Sequence, residues 1–219
     1  MSEQPTISVL ILGGTGLVGS HLIQLALGHP RIKHVIAPTR RPLAIHERLH
    51  NPLIDFDALP SEAHWWEADA VLCALGTTRR LAGSEEQFRR VDHDYVLQTA
   101  ALTRHCGAPV FVFNSSLGAD ANSRSLYLRT KGETEMDLEA LGFSALTHVR
   151  PSLLDGEKRT DSRPGESIGL WLARRFEPLI PARYKAVSTR DVAVAMLNAA
   201  LEPKQGVQVI ESDQIRRPR

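Results

Sequence analysis

Tyr127 and Lys131 stand four positions apart in a stretch, Leu126 to Leu141, whose composition is helical. That spacing sets the phenol and the ammonium side by side on one helix face. A free phenol, with a pKa of about 10, exchanges protons poorly at neutral pH, and a cation within about 4–6 Å favours its ionised form. A tyrosine so placed can protonate a carbonyl oxygen, or deprotonate an alcohol, while a hydride passes to or from a nicotinamide. Lys131 then has two tasks, tuning Tyr127 and hydrogen-bonding the nicotinamide ribose. The apolar run Val110–Phe113 ends in Asn114-Ser115-Ser116, and Ser116 would hold the substrate oxygen from the other side. A tyrosine and a lysine at this spacing also occur as a plain surface pair. The catalytic reading is favoured here by the serine-bearing strand end and by a glycine turn near the start of the chain.

These side chains need a scaffold. Ile7 to Leu12 is an apolar run of the kind buried on both faces of a parallel sheet. Gly13-Gly14-Thr15-Gly16-Leu17-Val18-Gly19 follows, matching G-x-G-x-x-G, and His21 to Leu27 continues as helix. Strand, glycine turn and helix together place backbone N–H groups and the positive end of a helix dipole against a pyrophosphate. A bare tight turn is the alternative, but the motif has the strand before it and the helix after it that the dinucleotide fingerprint requires. A second strand, His34 to Ala37, ends in Pro38-Thr39-Arg40-Arg41. Where an acid would receive the 2′-hydroxyl of NAD, this chain carries two guanidinium groups, which suit the 2′-phosphate of NADP. A solvated basic turn is the other reading. Ala70 to Leu75 is a further buried strand, and Gly76, Thr77 and Thr78 at its end let the backbone approach a ribose and phosphates, a plain turn again being the alternative.

Leu53 to Phe56 reads as a third strand, Ser84 to Gly107 as a helix opened by a capping box with Gln87, Asp191 to Leu201 as a helix and Val207 to Ile210 as a last strand. Strands alternating with helices predict an α/β fold of Rossmann type, a doubly wound parallel sheet with helices on both faces. The whole chain, 1–219, reads as one domain, with a small substrate-side region at about 152–190. Within that region Ile168 to Phe176 reads as a helix that could roof the substrate or simply pack. His46-Glu47-Arg48-Leu49-His50 is formally H-E-x-x-H, yet Pro42 and Pro52 hem it in and no third ligand follows. The expectation there is a short surface helix and no metal.

Composition narrows the partners. A net charge of +1 gives no reason to invoke nucleic acid or an anionic membrane, and no apolar run is long enough for a membrane span. The start, MSEQPTIS, lacks the basic and apolar regions of an export signal, and two cysteines suit reduced thiols. A cytoplasmic protein with a small-molecule substrate is therefore expected. A homodimer is compatible with this sequence but not specified by it.

The glycine turn, Ser115-Ser116 and Tyr127-x-x-x-Lys131 together resemble the short-chain dehydrogenase/reductase superfamily. Finer likeness is to its atypical branch, which includes the Tat-interacting oxidoreductase and bacterial relatives. It is carried by Ile54-Asp55-Phe56, Leu75-Gly76-Thr77-Thr78-Arg79, Val91-Asp92-His93-Asp94-Tyr95-Val96, Tyr127-Leu128-x-x-Lys131-Gly132-Glu133, Arg150-Pro151 and Ser162-Arg163-Pro164-Gly165-Glu166. The resemblance implies NADP along Gly13–Gly19, Arg40 and Arg41 on the 2′-phosphate, Asp55 and Phe56 by the adenine, and Leu75, Gly76 and Thr77 along the ribose and phosphates. Leu154 and Arg163 are implied as further cofactor contacts, and Ser116 as the catalytic serine with Ser115 its rival. Ser152 stands where relatives often carry glycine, a departure on the nicotinamide side. The expected function is an NADP(H)-dependent oxidoreductase acting on a carbonyl/alcohol pair. The alternatives are an NADPH-binding interaction protein with little or no turnover, and an isomerase or epimerase using the cofactor transiently. A short tail weighs against the last, because a nucleotide sugar needs a larger pocket.

Overall fold

The computed structural model describes residues 5–155 and 181–215. The first apolar run forms β1 (Ile7–Leu12), the glycines turn the chain, and α1 (Leu17–Gly28) leads back to β2 (Ile32–Ile36) and a two-residue β3 (Leu49–His50). β4 (Ala70–Cys73) is followed by short helices α2 (Arg79–Ala82) and α3 (Glu85–Arg89), a π-helical turn at Arg90–Asp94, and α4 (Tyr95–His105). Then come β5 (Val110–Asn114), α5 (Leu126–Ala140), β6 (Ala145–Arg150), β7 (Leu154–Asp155), β8 (Val187–Ser188), α6 (Thr189–Leu201), β9 (Gly206–Glu211) and α7 (Ser212–Ile215). Seven strands form one sheet in the order β3-β2-β1-β4-β5-β6-β9, with every neighbouring pair parallel. This is the expected α/β doubly wound arrangement.

Double-faced burial explains why the strands read as continuous apolar runs. Val9 and Ile11 pack with Leu22, Ala26, Val192 and Met196 of α1 and α6 on one face; Leu10 and Leu12 pack with Val96, Ala100 and Leu138 of α4 and α5 on the other. Each such side chain, withdrawn from water, contributes about 1.5–3 kcal/mol before chain entropy is counted. Because the chain runs from β1 to β2 on one side and to β4 on the other, a crevice opens above the carboxyl ends of β1 and β4. In sheets of this topology ligands bind there.

Three expectations need correction, and one strand was not anticipated. The third strand lies at Leu49–His50, and Leu53 makes only a single bridge to Thr39, because Asn51 and Pro52 bend the chain away from the ladder. The H-E-x-x-H segment is accordingly a turn running into a strand rather than a surface helix, and His46 accepts from the Arg48 amide at 3.1 Å. The helix expected from Ser84 to Gly107 is interrupted at the π turn, although Ser84 caps it as expected, accepting from the Gln87 amide. β6 had no counterpart in the sequence reading: Thr147 and His148 break its apolar pattern, yet both are buried between β5 and β9. The expected roofing helix at Ile168–Phe176 lies outside the described residues.

Candidate functional site

The glycine turn is shaped by what its residues lack. Gly13 has φ +81°, a left-handed conformation, and a Cβ there would stand 2.5 Å from the Ala74 carbonyl oxygen, so this turn rests directly on the end of β4. A Cβ at Gly19 would lie 2.1 Å from the Gly13 carbonyl oxygen; only glycine lets α1 start this close to the turn. The Gly16 amide donates to the Gly13 carbonyl at 2.9 Å, and Gly16 is the N-cap of α1, with no side chain capping the first turn and no acid in it. Thr15, Gly16 and Leu17 are exposed along the top, Gly14 and Val18 buried beneath. An uncapped helix start of this kind presents free N–H donors and a positive dipole end to an anion.

Beside it, Arg40 and Arg41 are exposed past the end of β2. The turn carrying them is stapled from below: the Thr39 hydroxyl donates to the Arg41 carbonyl at 2.6 Å, and the Asn51 amide donates to Thr39 and to the Ala37 carbonyl. Neither guanidinium forms an ion pair among the described residues. Next along the edge, Asp55 accepts from the Asp57 amide at 2.9 Å, while Phe56 is buried with its ring 5.3 Å from that of Tyr95. Tyr95 donates to the Asp57 carboxylate, which also pairs with Arg90 at 2.7 Å. Burial first, and then Asp57, hold the Tyr95 phenol above its ordinary pKa.

The third part lies under the ends of β4 and β5. Lys131, 3% exposed, places its ammonium 3.0 Å from Asp92 Oδ1, 3.4 Å from the Asn114 carbonyl and 4.8 Å from the centre of the Phe113 ring. Burial, the largest single influence, opposes its charge, but the attraction of Asp92 and then of Tyr127 outweighs it, and the ammonium pKa lies above its ordinary value. Asp92 lies in one of the stretches that carry the family resemblance, but the sequence reading gave it no role. It sits in the π turn, 1% exposed, and its second oxygen accepts from the Thr77 amide at 2.7 Å. The signal in the sequence was the stretch Val91 to Val96, which carries the resemblance without showing that the carboxylate faces Lys131. Gly76 lies over the pair, and a Cβ on it would stand 3.2 Å from Asp92 Oδ1. One helical turn before Lys131, Tyr127 is 42% exposed, its ring 6.0 Å from Phe88. Gly132 lets α5 press on the preceding loop: a Cβ there would fall 2.3 Å from the Ala121 nitrogen.

The serines divide. Ser115 is buried with an unpartnered hydroxyl among the described residues; Ser116 is half-buried, and its hydroxyl makes only a long bond, 3.4 Å, to the Leu117 carbonyl. Their backbone is held by Ser115 and Leu117 amides donating to the Val149 and Pro151 carbonyls, each at 2.8 Å. Leu154 is exposed on β7, and Arg163 lies outside the described residues. Thus Gly13–Gly19, Leu75–Thr77 and Lys131 come together along one sheet edge. Among the described residues no helix is long and apolar enough to cross a membrane.

The profile of the NAD dependent epimerase/dehydratase family matches residues 9–210. Among known proteins, the chain is 39% identical over 217 residues to Protein HTATIP2 of Rattus norvegicus, covering 95% of this chain and 87% of that one. It is 34% identical over 216 residues to Protein FMP52, mitochondrial, of Candida albicans, covering 90% and 92%. Solved structures of the same fold include MoeE5 in complex with UDP-glucose and NAD, with TM-score 0.69, 18% identity, and 95% of this chain on 79% of that one. Another is the UDP-N-acetylglucosamine 4-epimerase of Methanobrevibacter ruminantium, with TM-score 0.70 and 16% identity, covering 95% and 77%.

Proposed function

This chain belongs to the NAD dependent epimerase/dehydratase family, and from that premise we propose that it is an NADP(H)-dependent oxidoreductase acting on a carbonyl/alcohol pair through Tyr127, Lys131 and Ser116. The observation that carries this reading is the buried Lys131 ammonium, one helical turn from a half-exposed phenol, on the same sheet edge as an uncapped glycine turn. The uncapped start of α1, brought close over the glycine turn, suits a pyrophosphate, and the exposed Arg40 and Arg41, in no ion pair among the described residues, suit a 2′-phosphate. Asp55 and Phe56 would flank the adenine, Leu75, Gly76 and Thr77 the ribose and phosphates, and Leu154 the nicotinamide side. When bound, the nicotinamide supplies or accepts the hydride. Tyr127 exchanges the proton with the substrate oxygen, Ser116 holds that oxygen, and Lys131 donates to the ribose hydroxyls.

Fluorescence titration with NADPH and NADH tests the cofactor assignment: NADPH binds at least about tenfold more tightly, and equal affinities remove the role of Arg40. Against a panel of aldehydes and ketones, Tyr127→Phe lowers turnover by about 10²–10⁴-fold; undiminished turnover rejects the proton relay. A second reading, an isomerase using the cofactor transiently, is favoured by the UDP-sugars in structures of the same fold. Those chains are longer than this one, and tight binding of UDP-glucose here would decide for it.

A further inference from the structure

We infer that Asp57 is a positioning residue: by gripping Tyr95 and Arg90 it fixes the turn that carries Asp55 and Phe56, and so sets the seat of the adenine. This rests on the proposed reading of Asp55 and Phe56 as the residues beside that ring. The turn leaves the sheet after the single Thr39–Leu53 bridge, and its own bonds are local. The Ala58 amide donates to the Asp55 carbonyl at 3.2 Å, and the Asp57 amide to Asp55 Oδ1 at 2.9 Å. Such bonds shape a turn without attaching it to its neighbours. Attachment comes from the segment that opens α4. Asp57 Oδ1 accepts from the Tyr95 phenol and lies 2.7 Å from the Arg90 guanidinium, so two donors converge on one oxygen. The same Tyr95 ring lies 5.3 Å from the ring of buried Phe56 and 5.9 Å from the centre of the Arg90 guanidinium.

The helix geometry makes this convergence possible. Regular α-helix would set the side chains of Arg90 and Tyr95 about 140° apart around the axis. Here the Tyr95 amide donates to the Arg90 carbonyl, the wider π-helical bond, and that turn brings the two side chains to one carboxylate. The arrangement is not there for stability. Asp57 and Arg90 are 45% and 42% exposed, and an ion pair so wetted adds little to folding. What it supplies is direction. Packing of Phe56 alone is a non-directional contact, whereas the bonds to Asp57 fix an orientation. Asp55 is exposed and tied to the Asp57 amide, so it takes its place from Asp57. The groups facing the Tyr95 phenol are Asp57, Arg90 and Asp55; burial and Asp57 keep its proton on, in place to be donated, while Arg90 pulls the other way.

The test is calorimetry on the full-length protein with NADPH and with 2′,5′-ADP, which carries the adenosine end alone. Asp57→Ala releases both donors and weakens each nucleotide about tenfold, the cost of ordering a loosened turn on binding. The emission spectrum of the reduced nicotinamide in the saturated NADPH complex stays as in the wild type, because the far end of the crevice is untouched. Asp57→Glu, which restores a carboxylate, recovers most of the loss. Tyr95→Phe keeps the ring against Phe56 but not the donated proton, and weakens both nucleotides about threefold. Two results overturn the inference: Asp57→Ala leaving 2′,5′-ADP within about twofold of the wild type, or a loss accompanied by altered nicotinamide emission, which marks a general loosening. Should Asp57→Ala fail to fold, Tyr95→Phe decides, and unchanged affinity there overturns the inference. A wild type that binds neither nucleotide removes the oxidoreductase reading and this inference with it. A wild type that binds both, with no effect at Asp57, removes this inference alone.

Discussion

The turn after β1 and the pocket around Lys131 lie on one sheet edge, yet they are built by opposite means. The turn is made of absent side chains: at Gly13 and Gly19 any Cβ would strike backbone within 2.5 Å. The pocket is made of charges that are present and buried, Lys131 against Asp92. Backbone close-packing is specified by a few neighbouring residues and tolerates no added atom. A buried ion pair is specified by segments far apart in the chain and tolerates no missing partner. The two regions therefore fail differently when altered.

The largest expected effect is in the pocket. Lys131→Met leaves Asp92 buried without a counter-charge and should cost about 3–5 kcal/mol in urea unfolding, with part recovered when Asp92→Asn is added. A loss below about 1 kcal/mol would mean that charge does not hold the pocket. In the turn, Gly19→Ala pushes a methyl into the Gly13 carbonyl and should cost about 1–3 kcal/mol or more. Gly28, on the same helix with open space around it, is the contrast: Gly28→Ala should be neutral or stabilise by up to about 1 kcal/mol. Similar losses at both glycines would erase the distinction.

A smaller effect is expected at the rim. Arg40→Ala should weaken NADPH about tenfold, about 1.4 kcal/mol, while NADH binding stays within twofold. A further effect concerns the pocket at alkaline pH. Burial pushes the Cys73 thiol from 9.0 up to about 12. The folded chain keeps this proton longer than the unfolded one, so stability is fully present below pH 9.0 and falls as pH rises towards 12. Lys131, also raised, adds a loss of the same sign above its ordinary 10.5. Urea midpoints followed through this window should fall less steeply in Cys73→Ala than in the wild type; an unchanged slope would show that the thiol contributes none of it.

Legibility followed the same division. The β1 run, the glycine turn and the opening of α1 could be read because each signal is contiguous, and Tyr127 with Lys131 could be read because helical periodicity makes them neighbours. β3 was misplaced by four residues because Leu53–Phe56 has a better apolar pattern than Leu49–His50, and only the parallel register with β2 decides between them. β6 escaped notice because Thr147 and His148 look like surface residues until the fold buries them, His148 beside the Phe113 ring of β5 and Glu139 of α5.

By itself, then, the sequence determined those features whose physical cause lies within a single element or turn: alternating strands and helices, a tight glycine turn, a phenol and an ammonium on one helix face. Tertiary structure alone decided that Asp92 is the partner of Lys131, that Gly76 makes room for the pair, and that Ser115 is buried while Ser116 remains half-open. Burial and ion pairing are properties of what surrounds a residue. The surroundings of a central strand end come from segments that only sheet register brings together.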